Sequence, residues 1–96
     1  MPVIRGVFED DAVRDAIDKA AEDNPRVAEV FRSLGWGLAR EADVAGYELP
    51  GQNPPQYLYK TSSPIVGDPV ITARYDFDDK EVYIRSVRIS TQGGDE

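Results

Sequence analysis

The sequence predicts an α+β domain, with an N-terminal helix hairpin packed on a small antiparallel β-sheet. Three observations carry this. Apolar residues recur at helical spacing in two acidic stretches on either side of Asn24-Pro25. Two runs rich in β-branched and aromatic residues, Val70 to Phe77 and Glu81 to Ile89, flank Asp78-Asp79-Lys80. The 96 residues suffice for one core only, so residues 1–90 read as a single domain and 91–96 as a flexible C-terminal tail.

The apolar fraction is 41% and the charged fraction 30%, which suits a folding chain rather than a disordered one. There is no cysteine and no histidine. Disulfides, thiolate or imidazole metal sites, and Ser-His or Cys-His catalytic pairs are therefore excluded. No cofactor is expected. The first eight residues are too short for a signal segment and no apolar run approaches a membrane span, so a cytoplasmic protein without membrane attachment is expected. The net charge of −7 argues against an all-over grip on nucleic acid or on an anionic membrane. Its distribution is uneven: residues 1–50 carry 11 acidic and 6 basic side chains, whereas the charges between Tyr57 and Ser90 cancel.

Glu9-Asp10-Asp11 supplies carboxylates for a helix start, and a helix follows from about Asp11 to Asp23. Val13, Ala16, Ile17, Ala20 and Ala21 form its apolar side. Asn24 as N-cap and Pro25 at the first helical position open a second helix, lined by Val27, Val30, Phe31 and Leu34. That helix is expected to kink or stop near Gly35 or Gly37. From Ala45 to Pro69 the density of proline and glycine leaves room for one short strand, Tyr57 to Thr61.

The two β-rich runs read as a closing hairpin. A turn at Asp79-Lys80 pairs Phe77 with Val82, Tyr75 with Ile84 and Ala73 with Ser86, which builds one apolar face. Regular pairing places Arg74 directly across from Arg85 on the other face, near Tyr83, and puts Arg88 by alternation on the mainly apolar face. Like charges opposite one another call for compensation, by Asp76, by a helix carboxylate, or by a phosphate or carboxylate ligand. Solvated arginines with local partners are the plainer alternative. Tyr57, Tyr59 and Tyr83 can stack bases or supply a phenol, or serve as packing residues, and Lys60 adds one cation near the sheet. The acidic residues of the helices read as a solvated face. No calcium loop, phosphate-binding lysine loop or dinucleotide-binding glycine pattern is present.

Taken together, the helix hairpin, Phe31-Arg32-Ser33-Leu34-Gly35-Trp36-Gly37-Leu38-Ala39-Arg40, Gly46-Tyr47-Glu48-Leu49-Pro50-Gly51 and Ile71-Thr72-Ala73-Arg74-Tyr75-Asp76-Phe77-Asp78-Asp79-Lys80-Glu81-Val82-Tyr83-Ile84 resemble the RelE/ParE superfamily of bacterial type II toxins. The resemblance implies a twisted antiparallel sheet carrying a helix hairpin. It also implies a toxin of a toxin-antitoxin pair, acting as a ribosome-dependent mRNA endoribonuclease or as a DNA gyrase inhibitor. The partners implied are a cognate antitoxin, with ribosome and mRNA or DNA gyrase as targets. As a metal-independent endoribonuclease it would use Arg74, Arg85, Arg88 and Tyr83 as catalytic residues, with Lys60 and Tyr59 binding substrate. The chain departs from such toxins in being acidic and in lacking histidine. A non-catalytic interaction module that keeps the same fold is the alternative from another class.

Overall fold

Helix formation follows the apolar periodicity closely. The computed structural model describes residues 4–62 and 67–91, Thr91 through its backbone alone. Strand β1 (Gly6–Glu9) leads into helix α1 (Asp11–Asp23) and then helix α2 (Arg26–Ala45). Strands β2 (Tyr47–Glu48), β3 (Tyr57–Lys60), β4 (Pro69–Phe77) and β5 (Glu81–Thr91) follow in the described residues. Asn24 serves both helices. Its N–H donates to the Ala20 carbonyl at the end of α1, and its side-chain oxygen accepts from the Arg26 N–H at 3.1 Å. Pro25 takes the N-cap position, one residue before the position expected of it.

The sheet has five strands in the order β1-β5-β4-β3-β2, and it is mixed rather than purely antiparallel. β1 runs parallel to β5, Val7 opposite Val82 and Phe8 opposite Tyr83, while the other pairings are antiparallel. β1 and β2 go beyond the strands that the sequence predicts. Each is too short to show an alternation of its own, and each is held by a longer neighbour.

Both helices lie on one face of the sheet. Val13 and Ile17 of α1, with Val27, Leu34, Leu38 and Ala42 of α2, meet Ile71, Ala73, Tyr75, Val82 and Ile84. Burying each large side chain contributes about 1.5–3 kcal/mol. α2 passes unbroken through Gly35 and Gly37, and its irregularity falls later, at Glu41 (φ −137°, ψ 33°). There the buried Tyr75 hydroxyl donates to the Ala42 carbonyl at 2.7 Å, which satisfies the phenol inside the core. Burial pushes that phenol up to about 12. Just beyond, Gly46 approaches β3 so closely that a Cβ would stand 2.6 Å from the Leu58 carbonyl oxygen and 2.7 Å from the Tyr75 hydroxyl.

The hairpin turn forms as expected. Asp78 N–H bonds the Glu81 carbonyl, and the Asp78 carboxylate accepts from the N–H groups of Lys80 and Glu81, both at 2.8 Å. Those two backbone donors hold the Asp78 carboxyl below its usual range. Thr91, expected to begin a flexible tail, is instead the last residue of β5, opposite Pro69; the rest of that tail lies outside the described residues. No helix is long and apolar enough to cross a membrane among those residues.

Candidate functional site on the open sheet face

The helices cover one side of the sheet and leave the other open. The contents of the open face are decided by a β-bulge in β5. Phe77, Asp76 and Tyr75 pair with Val82, Tyr83 and Ile84 as regular alternation requires, but Arg74 pairs with Ser86 and Ala73 with Val87. Arg85 is the extra residue. A bulge of this kind sets two residues against one and reverses the alternation beyond it. Val87 and Ile89 consequently pack against the core, and Arg88, opposite Thr72, joins the open face.

Three expectations are corrected by this one residue. Arg74 does not face Arg85, Ala73 does not face Ser86, and Arg88 is not on the apolar face. The apolar positions of β5 already carry the signal, since they fall on Val82 and Ile84, then on Val87 and Ile89, one residue out of phase.

At one end of the face, Arg85 is neutralised. Its Nε donates to Asp76 Oδ2 at 2.8 Å and its Nη2 to Asp76 Oδ1 at 3.2 Å, with Asp10 3.7 Å away. The Asp76 hydrogen bond raises the Arg85 pKa further. The guanidinium also lies 5.0 Å from the Tyr83 ring centroid, and Tyr83 stacks on Phe8 across the parallel pairing. The Tyr83 hydroxyl donates to the Glu81 carboxylate, and this bond pushes the phenol up to about 12. At neutral pH Tyr83 is therefore a protonated donor and not a base.

The other end is different. Lys60, Thr72 and Arg88 form one cross-strand row over β3, β4 and β5, and Leu58, Arg74 and Ser86 form the next. At the usual strand spacing, Lys60 and Arg88 stand about 10 Å apart across Thr72, with Arg74 diagonal to both. The Arg74 guanidinium donates to the amide oxygens of Gln56 and Gln52, the latter at 3.0 Å. Those neutral partners orient the fork without cancelling its charge. Among the described residues no carboxylate forms an ion pair with Lys60, Arg74 or Arg88. Three cations thus surround two hydroxyl-bearing side chains, an arrangement that can bind the oxygens of a phosphate or a carboxylate.

Tyr59 does not belong to this group. It alternates to the helix side of β3 and lines a separate concavity of about 250 Å³, together with Arg26 and Asp68 among others. There Arg26 grips the buried Asp68 carboxylate in a bidentate pair, Nε to Oδ1 at 3.1 Å and Nη2 to Oδ2 at 2.6 Å. Sequence reasoning missed Gln52 and Gln56 as orienting residues, because they come from a proline-rich loop without periodicity. Among the described residues, no group of three or more acidic side chains is placed to hold a metal ion. Comparison with family models, curated proteins and solved structures finds no match to this chain.

Proposed function

We propose that the chain is a toxin-like component of a bacterial type II toxin-antitoxin system, of RelE/ParE type, which engages an anionic target through its open sheet face. The observation that carries this reading is the convergence of Lys60, Arg74 and Arg88, none paired with a carboxylate among the described residues, on the uncovered side of a chain whose net charge is −7. The helix hairpin on the opposite side of the sheet supports the same reading at the level of fold.

What this face supplies chemically is anion binding and stabilisation of developing negative charge. As an endoribonuclease, the protein would hold the RNA backbone with Lys60, Arg74 and Arg88 while the ribose 2′-hydroxyl attacks the adjacent phosphate. Tyr83, tied to Glu81, is unsuited to take the proton of that hydroxyl. The pairing of Arg85 with Asp76 and of Tyr83 with Glu81 favours a second reading, a non-catalytic interaction module that keeps the fold and binds through the same cations.

Expression in a bacterium without the neighbouring genes tests the proposal. Arrested growth is expected, relieved by Arg74→Ala or Arg88→Ala in variants shown to be folded and equally abundant, and unrelieved by Arg85→Ala. Messenger RNA cleavage and gyrase inhibition then separate the two toxin activities. Normal growth at high soluble expression of the unmodified chain would overturn the toxin reading and leave the interaction module.

A further inference from the structure

The helix layer carries a second unusual surface, on the opposite side of the molecule from the open face. Trp36 is the only tryptophan of the chain, and it lies 56% exposed on α2. Arg32, Trp36 and Arg40 are spaced by four residues and form one stripe along that helix. The Arg40 guanidinium lies over the indole, 5.0 Å from its centroid. The Arg5 N–H donates to the Ala39 carbonyl at 2.8 Å, which brings the start of β1 alongside the same helix.

Between these groups is a shallow hollow of about 290 Å³, lined by Arg5, Val7, Arg32, Gly35, Trp36 and Ala39. Its floor is apolar and its rim is cationic. Arg5 donates from Nε to the neutral carbonyl of Asp78 at 2.7 Å. None of Arg5, Arg32 and Arg40 forms an ion pair with a carboxylate among the described residues. Gly35 has no left-handed backbone to maintain, and a Cβ there would meet nothing within 4 Å. A helix-interior glycine costs about 0.5–1 kcal/mol relative to alanine, and here neither packing nor conformation requires it. Its effect is to keep the floor of the hollow bare.

We infer that this stripe is a docking site for an acidic segment of another protein. A large apolar side chain of that segment enters the hollow beside Trp36, and its carboxylates meet Arg5, Arg32 and Arg40. Charge complementarity selects the occupant, because the hollow reverses the sign of the chain as a whole. Helix α1 of a second copy is a poor fit, because Asp11, Asp15 and Asp18 lie beside only Ala12 and Ala16, which are too small to serve as anchors. The exposed Val44 and Tyr47 stand next to Asp43 and Glu48, so self-association of the unmodified protein that is lost in Arg32→Glu/Arg40→Glu would overturn the choice of a separate partner. Nucleic acid is also a poor fit. Arg40 already covers one face of the indole and removes that face as a stacking platform for a base.

Selection of a displayed random-peptide library on the full chain tests the inference. Enrichment of peptides that combine Asp or Glu with Leu, Phe or Trp is expected. Their affinity should fall roughly tenfold or more in a folded Arg32→Glu/Arg40→Glu protein, and by a similar factor in Trp36→Ala. The same peptides should shift the Trp36 fluorescence saturably in the unmodified protein. No enrichment, or peptides that bind both charge-reversed and unmodified proteins equally, would overturn it. So would a single-stranded oligonucleotide that shifts Trp36 emission at lower concentration than the selected peptides, which would reassign the surface to nucleic acid.

Discussion

Arg74 and Arg85 sit on the same open face, one on each strand of a single hairpin, yet they differ in what they can do. Arg85 commits its guanidinium to Asp76, with Asp10 behind it and the Tyr83 ring beneath. Arg74 is oriented by two glutamine amides and keeps its charge available. Residue type and strand position therefore do not make a binding group. The sign of its nearest partner does, and that partner is chosen by register.

Breaking the phase of β5 should have the largest effect. Deletion of Arg88 would turn Ile89 from the core face to the open face. The expelled side chain costs about 1.5–3 kcal/mol, against a total stability of about 5–15 kcal/mol, and a clear drop in thermal midpoint is expected by circular dichroism. Deletion of Arg85, the extra residue, leaves Ile84, Ser86 and Val87 in regular alternation and keeps Val87 and Ile89 on the core face, so it should cost far less. Arg85→Ala should cost no more than about 1 kcal/mol because the ion pair is exposed. An Arg85 deletion that melts as low as the Arg88 deletion would refute the bulge.

The next effect is on binding. Arg74→Ala combined with Arg88→Ala should weaken binding to a short single-stranded RNA roughly tenfold or more at low salt. The slope of log affinity against log salt should become shallower by about 0.7 for each phosphate that is no longer neutralised. Arg85→Ala should change both quantities little. Should all three arginines prove equivalent in filter-binding titrations, the contrast between the two ends of the face is wrong. Asp76→Asn offers a smaller, opposite effect: it frees Arg85, so affinity for the same RNA should rise several-fold as a further cation becomes available.

The subtlest consequence concerns Tyr83. Its folded-state pKa of about 12, set by Glu81, is raised above the usual 10.0, so the folded protein retains a proton that the unfolded chain releases between those values. The contribution to stability is complete below pH 10 and is lost as pH rises toward 12. Absorbance titration of the phenolates should show Tyr83 ionising late, and Glu81→Gln should return it toward pH 10. Ordinary titration of Tyr83 in the unmodified protein would contradict the hydrogen bond.

Much of this architecture is legible in the sequence. The two helices, the hairpin turn at Asp79-Lys80 and the first three pairs of β4 with β5 follow from periodicity and turn chemistry. The bulge is visible as the phase change between Ile84 and Val87, but regular alternation carried through it sets Arg74 against Arg85 and turns Arg88 inward. Tyr59 and Lys60 cannot share a face once their strand is accepted, since neighbours in a strand point oppositely. β1 is not legible at all. Four residues without alternation become a strand because β5 offers them a long edge, a cause that lies more than seventy positions away. The glutamines that orient Arg74 are hidden for a similar reason, as contacts from a loop leave no periodic trace.

The sheet order has a further meaning for synthesis of the chain. β5 lies between β1 and β4, so of the five strands of this sheet the one made latest is the one that joins the first strand to the rest. Until it emerges, β1 has no neighbour, and both α1 and α2 lack the Val82 and Ile84 floor on which they close. The domain is therefore expected to fold after translation of β5 rather than progressively. Arrested nascent chains ending before Glu81 should be degraded rapidly by protease, and those extended well past Thr91 should resist it. A protein assembled in this way acquires its cationic face only once β5 has been made.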